Sequence, residues 1–264
     1  MTYDTLLFDR SGGEGEVGLL KLNRPEVLNA MNTQMGRDLR DAFRGLRDDE
    51  RLRCLVLTGA GDRAFCTGAD LKERNRMTDE EFFSQHRIFE DALLEGLRSI
   101  PVPVVAAVEG YCLAGGFELA LGCDLIVASE AARFGLTETT RGLMPGVGAV
   151  VHLPRLAGKT FTKDVVFTAR LIPGEEALRR GVVSRLTAPG QALGEALAMA
   201  RTIADNAPVA VRQAKKAIER GMDCDVGTAL AFMLEAYHAV VGTEDRREGI
   251  VAFNEKRAPR FAGR

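Results

Sequence analysis

Tryptophan is absent from the 264 residues, histidine occurs three times, and aromatic residues make up only 6% of the chain. His86, His152 and His238 are isolated, with no HExxH pair, so a metal centre would lack its usual ligands and none is expected. No serine lies in G-x-S-x-G, which excludes the nucleophile elbow of esterases. The net charge of -2 provides no field of one sign to steer the chain toward nucleic acid or anionic lipid. Apolar runs such as PVPVVAAV fall well short of the roughly 20 residues that span a bilayer. The opening MTYDTLLFDR has neither the basic start nor the hydrophobic centre of a secretion signal. Cys54, Cys66, Cys112, Cys123 and Cys224 form no CxxC pair and mostly sit beside apolar residues. Buried free thiols in a reducing, cytoplasmic setting are therefore expected, and a disulfide framework is not.

What is present is an α/β pattern. RCLVLTG (53–59), VPVVAAVEG (102–110) and CDLIVAS (123–129) are continuous apolar runs, as strands covered on both faces require. EVGLLKL (16–22) adds an amphipathic strand, and VVSRL a late one. Asn32 or Thr33 caps a helix running to about Asp48. Thr78 with Glu81 makes a capping box opening one helix over DEEFFSQHRIFEDALLEGLRSI, which Pro101 and Pro103 stop. After Pro145 the chain is mostly helical. With no linker or low-complexity tract, residues 1–190 are expected to form an α/β core and 191–264 a helical C-terminal region of the same structural domain.

Several apparent motifs fail on context. GEGEVG (13–18) matches G-x-G-x-x-G, but no strand precedes it in the pattern and a strand rather than a helix follows, so a hairpin turn is expected. Gly158-Lys159-Thr160 lacks the glycine a phosphate loop needs at Leu153. Arg37, Arg40, Arg44 and Arg47 form a basic stripe interrupted by Asp38, Asp41, Asp48 and Asp49, the pattern of a solvated helix face. His152 follows a glycine turn, which places it to line a pocket; His86 and His238 read as surface or packing residues.

Two segments carry chemistry. In GYCLAGGFELA, a buried strand ends at Gly110 and Ala114-Gly115-Gly116 leave the main chain open to a ligand; a helix starting there points unpaired N–H groups at it. In FCTGADLKER, Gly68-Ala69 makes a similar turn at the neighbouring strand end, so two amides can serve one oxygen. Glu118 falls on the first helical turn after the glycines, and Glu138 lies 20 positions further on, one strand and its return. Spacing alone leaves open that Glu118 only complements a helix dipole and Glu138 is a surface loop residue.

FCTGADLKER, GYCLAGGFELALGCD, FGLTETTRGLMPGVG and EGIVAFNEKRAPRFAG, in this order, resemble the signature segments of the crotonase (enoyl-CoA hydratase/isomerase) superfamily. The likeness runs from LNRPEVLNAM (22–31) to the C-terminus and is closest to the enoyl-CoA hydratase and methylglutaconyl-CoA hydratase branch. It implies an α/β spiral of ββα turns with a helical C-terminal oligomerisation region, assembled as a homotrimer or homohexamer. The implied substrate is a coenzyme A thioester, with no separate cofactor. Ala69 and Gly115 match the amides that hold the thioester oxygen; Glu118 and Glu138 match the glutamates that activate water for C3 and handle the proton at C2. Asp70, Leu71, Lys72 and Arg24 match coenzyme A contacts, and Phe253 with Lys256 match contacts that a neighbouring subunit can supply. GVGAVVHL (146–153) departs from the GGGGTQRL of many hydratases, which bears on acyl preference rather than reaction type. A double-bond isomerase is the alternative within the family. RNA binding, known in animal members of that branch, is not carried over because the arginine stripe here is broken by acids; a non-enzymatic RNA- or partner-binding module using that arginine helix is the alternative from another class.

Overall fold

The computed structural model of the chain describes residues 2–11 and 16–264. Strands β1 (Leu6–Ser11) and β2 (Val17–Leu22) pair antiparallel, and helix α1 (Thr33–Arg47) follows. Three units come next, each with a long strand, a short strand and a helical return. The first is β3 (Cys54–Gly59), β4 (Ala64–Cys66), α2 (Leu71–Arg74) and α3 (Asp79–Phe89). The second is β5 (Val104–Val108), β6 (Tyr111–Leu113) and α4 (Gly115–Leu121). The third is β7 (Leu125–Ser129), β8 (Arg133–Gly135) and a 3-10 turn (Glu138–Arg141), leading to α5 (Ala149–Ala157) and α6 (Lys159–Thr168). The chain ends with β9 (Ile172–Pro173), α7 (Gly174–Arg179), β10 (Arg185–Thr187), α8 (Ala192–Ala204), α9 (Pro208–Gly221), α10 (Val226–Val241) and α11 (Glu244–Glu255).

Five long strands and the short β10 build a six-stranded sheet in the order β1-β2-β3-β5-β7-β10, and the other short strands a four-stranded sheet in the order β4-β6-β8-β9. Each unit gives one strand to each sheet, and β3, β5 and β7 run parallel. This is the ββα spiral that the resemblance implies. The apolar runs lack alternation because both faces are covered: Leu55 and Leu57 enter one core, while Cys54 and Val56 enter another beneath α8. Ala192, Ala196 and Ala200 of α8 are fully buried, and their small side chains let the helix lie close on the sheet. Burial pushes the thiols of Cys54 and Cys66 up to about 12, and all five cysteines are free.

The predicted caps are present. Asn32 accepts the Met35 amide at 2.9 Å, and Thr78 with Glu81 forms both arms of the capping box. Two expectations need correction. A strand, β1, does precede GEGEVG; charged Asp9 and Arg10 hid it, and the turn itself at residues 12–15 lies outside the described residues. The helix from Asp79 does not stay α: from Glu90 to Gly96 it widens into π turns, then closes as 3-10 at Leu97–Ser99. The widening keeps Phe89, Ala92, Leu93 and Leu97 buried, while side-chain-free Gly96 lies against Phe43.

The loop ahead of α1 is held by Asn29, which is fully buried in the left-handed conformation (φ 56°). Its side chain accepts the Arg24 amide at 3.0 Å and donates to the carbonyls of Ala60 and Ala64 at 3.0 and 2.9 Å. Asn29→Ala strands these three groups, so a loss of about 2 to 4 kcal/mol is expected in urea unfolding. A loss below about 0.5 kcal/mol would show that the loop does not depend on it.

Candidate active site

Two turns meet where the sheets join. After β4 the chain passes through Gly68, whose φ of +88° suits glycine. A Cβ on Gly68 would lie 2.8 Å from the Ala114 Cβ and 3.1 Å from the Gly115 nitrogen, so the approach of the two turns requires that glycine. Met31 bridges the first turn from outside, donating to the Gly68 carbonyl at 2.7 Å and accepting the Asp70 amide at 2.8 Å. In a parallel bridge of this kind the N–H of the intervening residue, Ala69, points away from Met31. At the second turn Ala114 takes φ 50° and ψ -129°, a strained conformation for a residue with a Cβ, and swings β6 into α4. Gly115 is the first residue of that helix and its N–H has no intrahelical acceptor. Among the described residues, neither the Ala69 nor the Gly115 amide has a hydrogen-bond acceptor. Both residues line one cavity of about 800 Å³.

Glu118, one turn into α4, also lines this cavity, and its side chain is buried. Its Oε1 accepts the amides of Val147 at 2.9 Å and Ala149 at 3.0 Å. Burial raises its pKa, while the amides of Ala149, Val147 and Gly146 oppose the shift by stabilising the carboxylate. Glu138 heads the 3-10 turn after β8 and reaches the same cavity. Both its carboxylate oxygens are buried and without a hydrogen-bond partner among the described residues. Its pKa is pushed up to about 7, first by burial and also by the charge of Glu118; the amide of its own residue, Arg141 and Arg74 work the other way. Burial therefore raises both acids, which share a pocket with two amides free among the described residues; main-chain amides offset the rise at Glu118, while the oxygens of Glu138 have no such partner.

The structure brings Glu118, Glu138, Ala69, Gly115, Asp70, Leu71 and Lys72 onto one cavity. Arg24 instead lines the adjoining groove with Lys72 and Arg76, and donates to Asp70 at 3.0 Å and to the Ala30 carbonyl at 2.6 Å. Asp70 caps α2 through the amides of Lys72 and Glu73, so it is a structural hub beside the cavity. Phe253 and Lys256 lie at the end of α11, away from this lining, with Phe253 82% exposed. His152 does not line the cavity: it packs beside Gly148, and burial first, then Arg155 and Arg98, lower its pKa. His86 lines the cavity in its place, against Gly146. Arg74 lies in the segment 74–90 whose side chains are expected to shape the pocket, whereas Met31 was missed, because a single side chain within a loop pattern carries no signal of the direction it faces. On α1, Arg40 and Arg47 bond Asp41 and Asp48 beside them, as the interrupted stripe leads one to expect. Among the described residues, no group of three His, Cys, Asp or Glu side chains is placed to hold a metal ion.

Fold and site geometry define a ββα spiral with one acid-bearing cavity at its strand ends. The family model described as enoyl-CoA hydratase/isomerase matches residues 12–264. A relative named short-chain-enoyl-CoA hydratase, from Clostridium acetobutylicum, is 40% identical over 244 residues, covering 92% of this chain and 93% of its own. The crystal structure of an enoyl-CoA hydratase from Bacillus anthracis superimposes with a TM-score of 0.96 at 37% identity, over 99% of this chain and 100% of that one. Another, from Geobacillus kaustophilus, gives 0.90 at 35% identity and covers 99% of both. The chain belongs to the enoyl-CoA hydratase/isomerase family, in the crotonase superfamily.

The pKa of Glu138 has a consequence for stability. A carboxyl whose folded pKa (about 7) exceeds its unfolded value (4.5) binds more protons in the folded state, so it stabilises least above pH 7. Glu138→Gln removes this penalty. Its stability relative to the native chain should rise by about 1 to 3 kcal/mol between pH 5 and pH 8, read from urea midpoints. A difference that does not change with pH would show that Glu138 titrates as an ordinary carboxylate.

Proposed function

We propose that the protein is an enoyl-CoA hydratase, adding water across the C2–C3 double bond of a 2-enoyl-CoA with syn geometry. The observation that carries this reading is the unequal pair of acids beside two free amides in one cavity. The thioester oxygen sits between the N–H groups of Ala69 and Gly115. Glu118, ionised, takes a proton from water as its oxygen bonds to C3 and the double-bond electrons move to the carbonyl oxygen, forming an enolate. The enolate then takes a proton from Glu138 at C2, and the double bond to oxygen re-forms. One water is consumed, and the proton gained by Glu118 restores Glu138 for the next turnover. Fixed donors aimed at the enolate oxygen are worth roughly 2.7 to 4 kcal/mol each in comparable sites. Arg24, Arg37, Lys72 and Arg76, interspersed with Asp70, Glu73, Glu80 and Glu81, line a groove that adjoins the cavity, and we take its cations to contact the phosphates of coenzyme A.

The presence of both acids favours hydration over isomerisation, which can proceed with one. Glu118→Gln and Glu138→Gln should each lower crotonyl-CoA hydration by about 10² to 10⁴-fold, followed by loss of the enoyl-thioester absorbance. For the native protein kcat/KM should fall as pH rises through about 7, where Glu138 loses its proton. If either glutamine variant hydrates normally, that residue leaves the mechanism; conversion of a 3-enoyl-CoA without hydration of the conjugated ester would favour the isomerase.

Assembly is part of the same reading. Val226, Leu230, Met233, Leu234, Tyr237 and Val241 recur at helical spacing on α10 and are all exposed. A contiguous apolar stripe of this kind marks an interface. We take its cover to be further copies of the chain in a homotrimer or homohexamer, which would also let Phe253 and Lys256 reach a neighbour's coenzyme A. Light scattering should give three or six chains per particle for the native protein and fewer for Leu230→Glu; a monomeric native protein would overturn this.

A further inference from the structure

The segment that holds Glu118 packs in turn on a helix. Val147 and Ala149 donate to a single oxygen, Glu118 Oε1, and Gly148 between them turns the chain at φ 122°, where a side chain would be strained. A Cβ on Gly146 would lie 2.8 Å from His86 Cε1 and 3.3 Å from its Nε2. One on Gly148 would lie 3.0 Å from His152 Cδ2 and 3.4 Å from Leu94 Cδ2. His86 belongs to α3 and Leu94 to the π turns that continue it. The imidazole Nε2 stands 3.2 Å from Oε1 of Glu90, the residue at which the widening begins. His86 also lines the acid-bearing cavity, yet the hydration steps give it no proton to carry.

That two side chains of this helix meet one short segment depends on the π turns. Eight positions of a regular α-helix advance two full turns and roughly 80° more, which would point residues 86 and 94 in different directions. A turn closed by i→i+5 bonds holds more residues, so each residue rotates the helix less and the offset shrinks. His86 and Leu94 thereby reach glycines two positions apart. π turns are rare and frequently mark functional sites. Here the widening brings the helix against the main chain whose amides stabilise the ionised form of Glu118.

We propose that His86 is a positioning residue: with Leu94 on the widened helix it fixes Gly146–Ala149, so that the amides of Val147 and Ala149 stay on Glu118. The proposal rests on the hydratase reading for its effect on turnover and is independent of it for its effect on the segment. Without substrate, hydrogen exchange is followed by mass spectrometry on the peptide carrying the Val147 and Ala149 amides, relative to peptides of β3. His86→Ala should speed that exchange at least about tenfold, while His86→Phe, which keeps a ring against Gly146, should stay within about threefold of native. In turnover of crotonyl-CoA, His86→Ala should lower kcat by about tenfold or more and change KM by less than about threefold, with most of kcat recovered in His86→Phe. Gly146→Ala, whose new carbon meets the ring, should lower kcat by about tenfold, and Gly146→Ala with His86→Ala should cost no more than either alone. Native exchange in His86→Ala would overturn the proposal. So would a His86→Phe variant as impaired as His86→Ala, which would make the imidazole nitrogens rather than the packing the working part. Losses that simply multiply in the double variant would overturn it as well. The expected exchange pattern in a protein that hydrates no enoyl ester would sink the hydratase reading alone.

Discussion

The approach of two strand-end turns, one through Gly68 and the other through Ala114 and Gly115, is the constraint on which the site depends. Added carbon at Gly68 would meet Ala114 at 2.8 Å, and at Gly116 it would lie 2.2 Å from the Cys66 carbonyl oxygen. Parallel pairing of β4 with β6 sets the separation of the turns, and the absence of side chains lets them close. Met31 and the strained Ala114 then fix which way the freed amides face. Backbone geometry of this kind places donors without needing a polar side chain to be ordered.

Around that fixed pair of donors, charge is arranged by unequal solvation. Glu118 receives the amides of Val147 and Ala149, whereas Glu138 receives none from any other described residue, although both stand on the same cavity. Removing water from both carboxyls while compensating only one separates their proton affinities. Two residues of one type are thus held in different surroundings, with the difference supplied by the main chain around each.

Much of this was legible in the sequence. Strands β3, β5 and β7 showed as unbroken apolar runs because each is covered on both faces, and Asn32, Thr78 and Glu81 marked helix starts through capping chemistry that is local. The short strands AFC, YCL and RFG did not show: three residues give no period, and their pairing depends on the sheet already formed. Glycine turns and the two glutamates could be found by type and spacing, and only the family resemblance implied catalytic rather than structural roles for them. Direction could not be found that way. His86 rather than His152 faces the cavity, and Arg74 turns inward, because packing against Gly146, Gly148, Phe82 and Gln85 decides where each side chain goes.

The segment Gly146–Ala149 grips Glu118 through its peptide groups alone, and Val147 from the same stretch lines the cavity. Side chains there are thus uncoupled from the hold on the acid: replacing one alters the walls of the chamber and leaves the grip in place. Lineages sharing this scaffold have room to reshape the chamber at Val147 without loosening the hold on Glu118, and the valine of GVGAVVHL is compatible with that freedom.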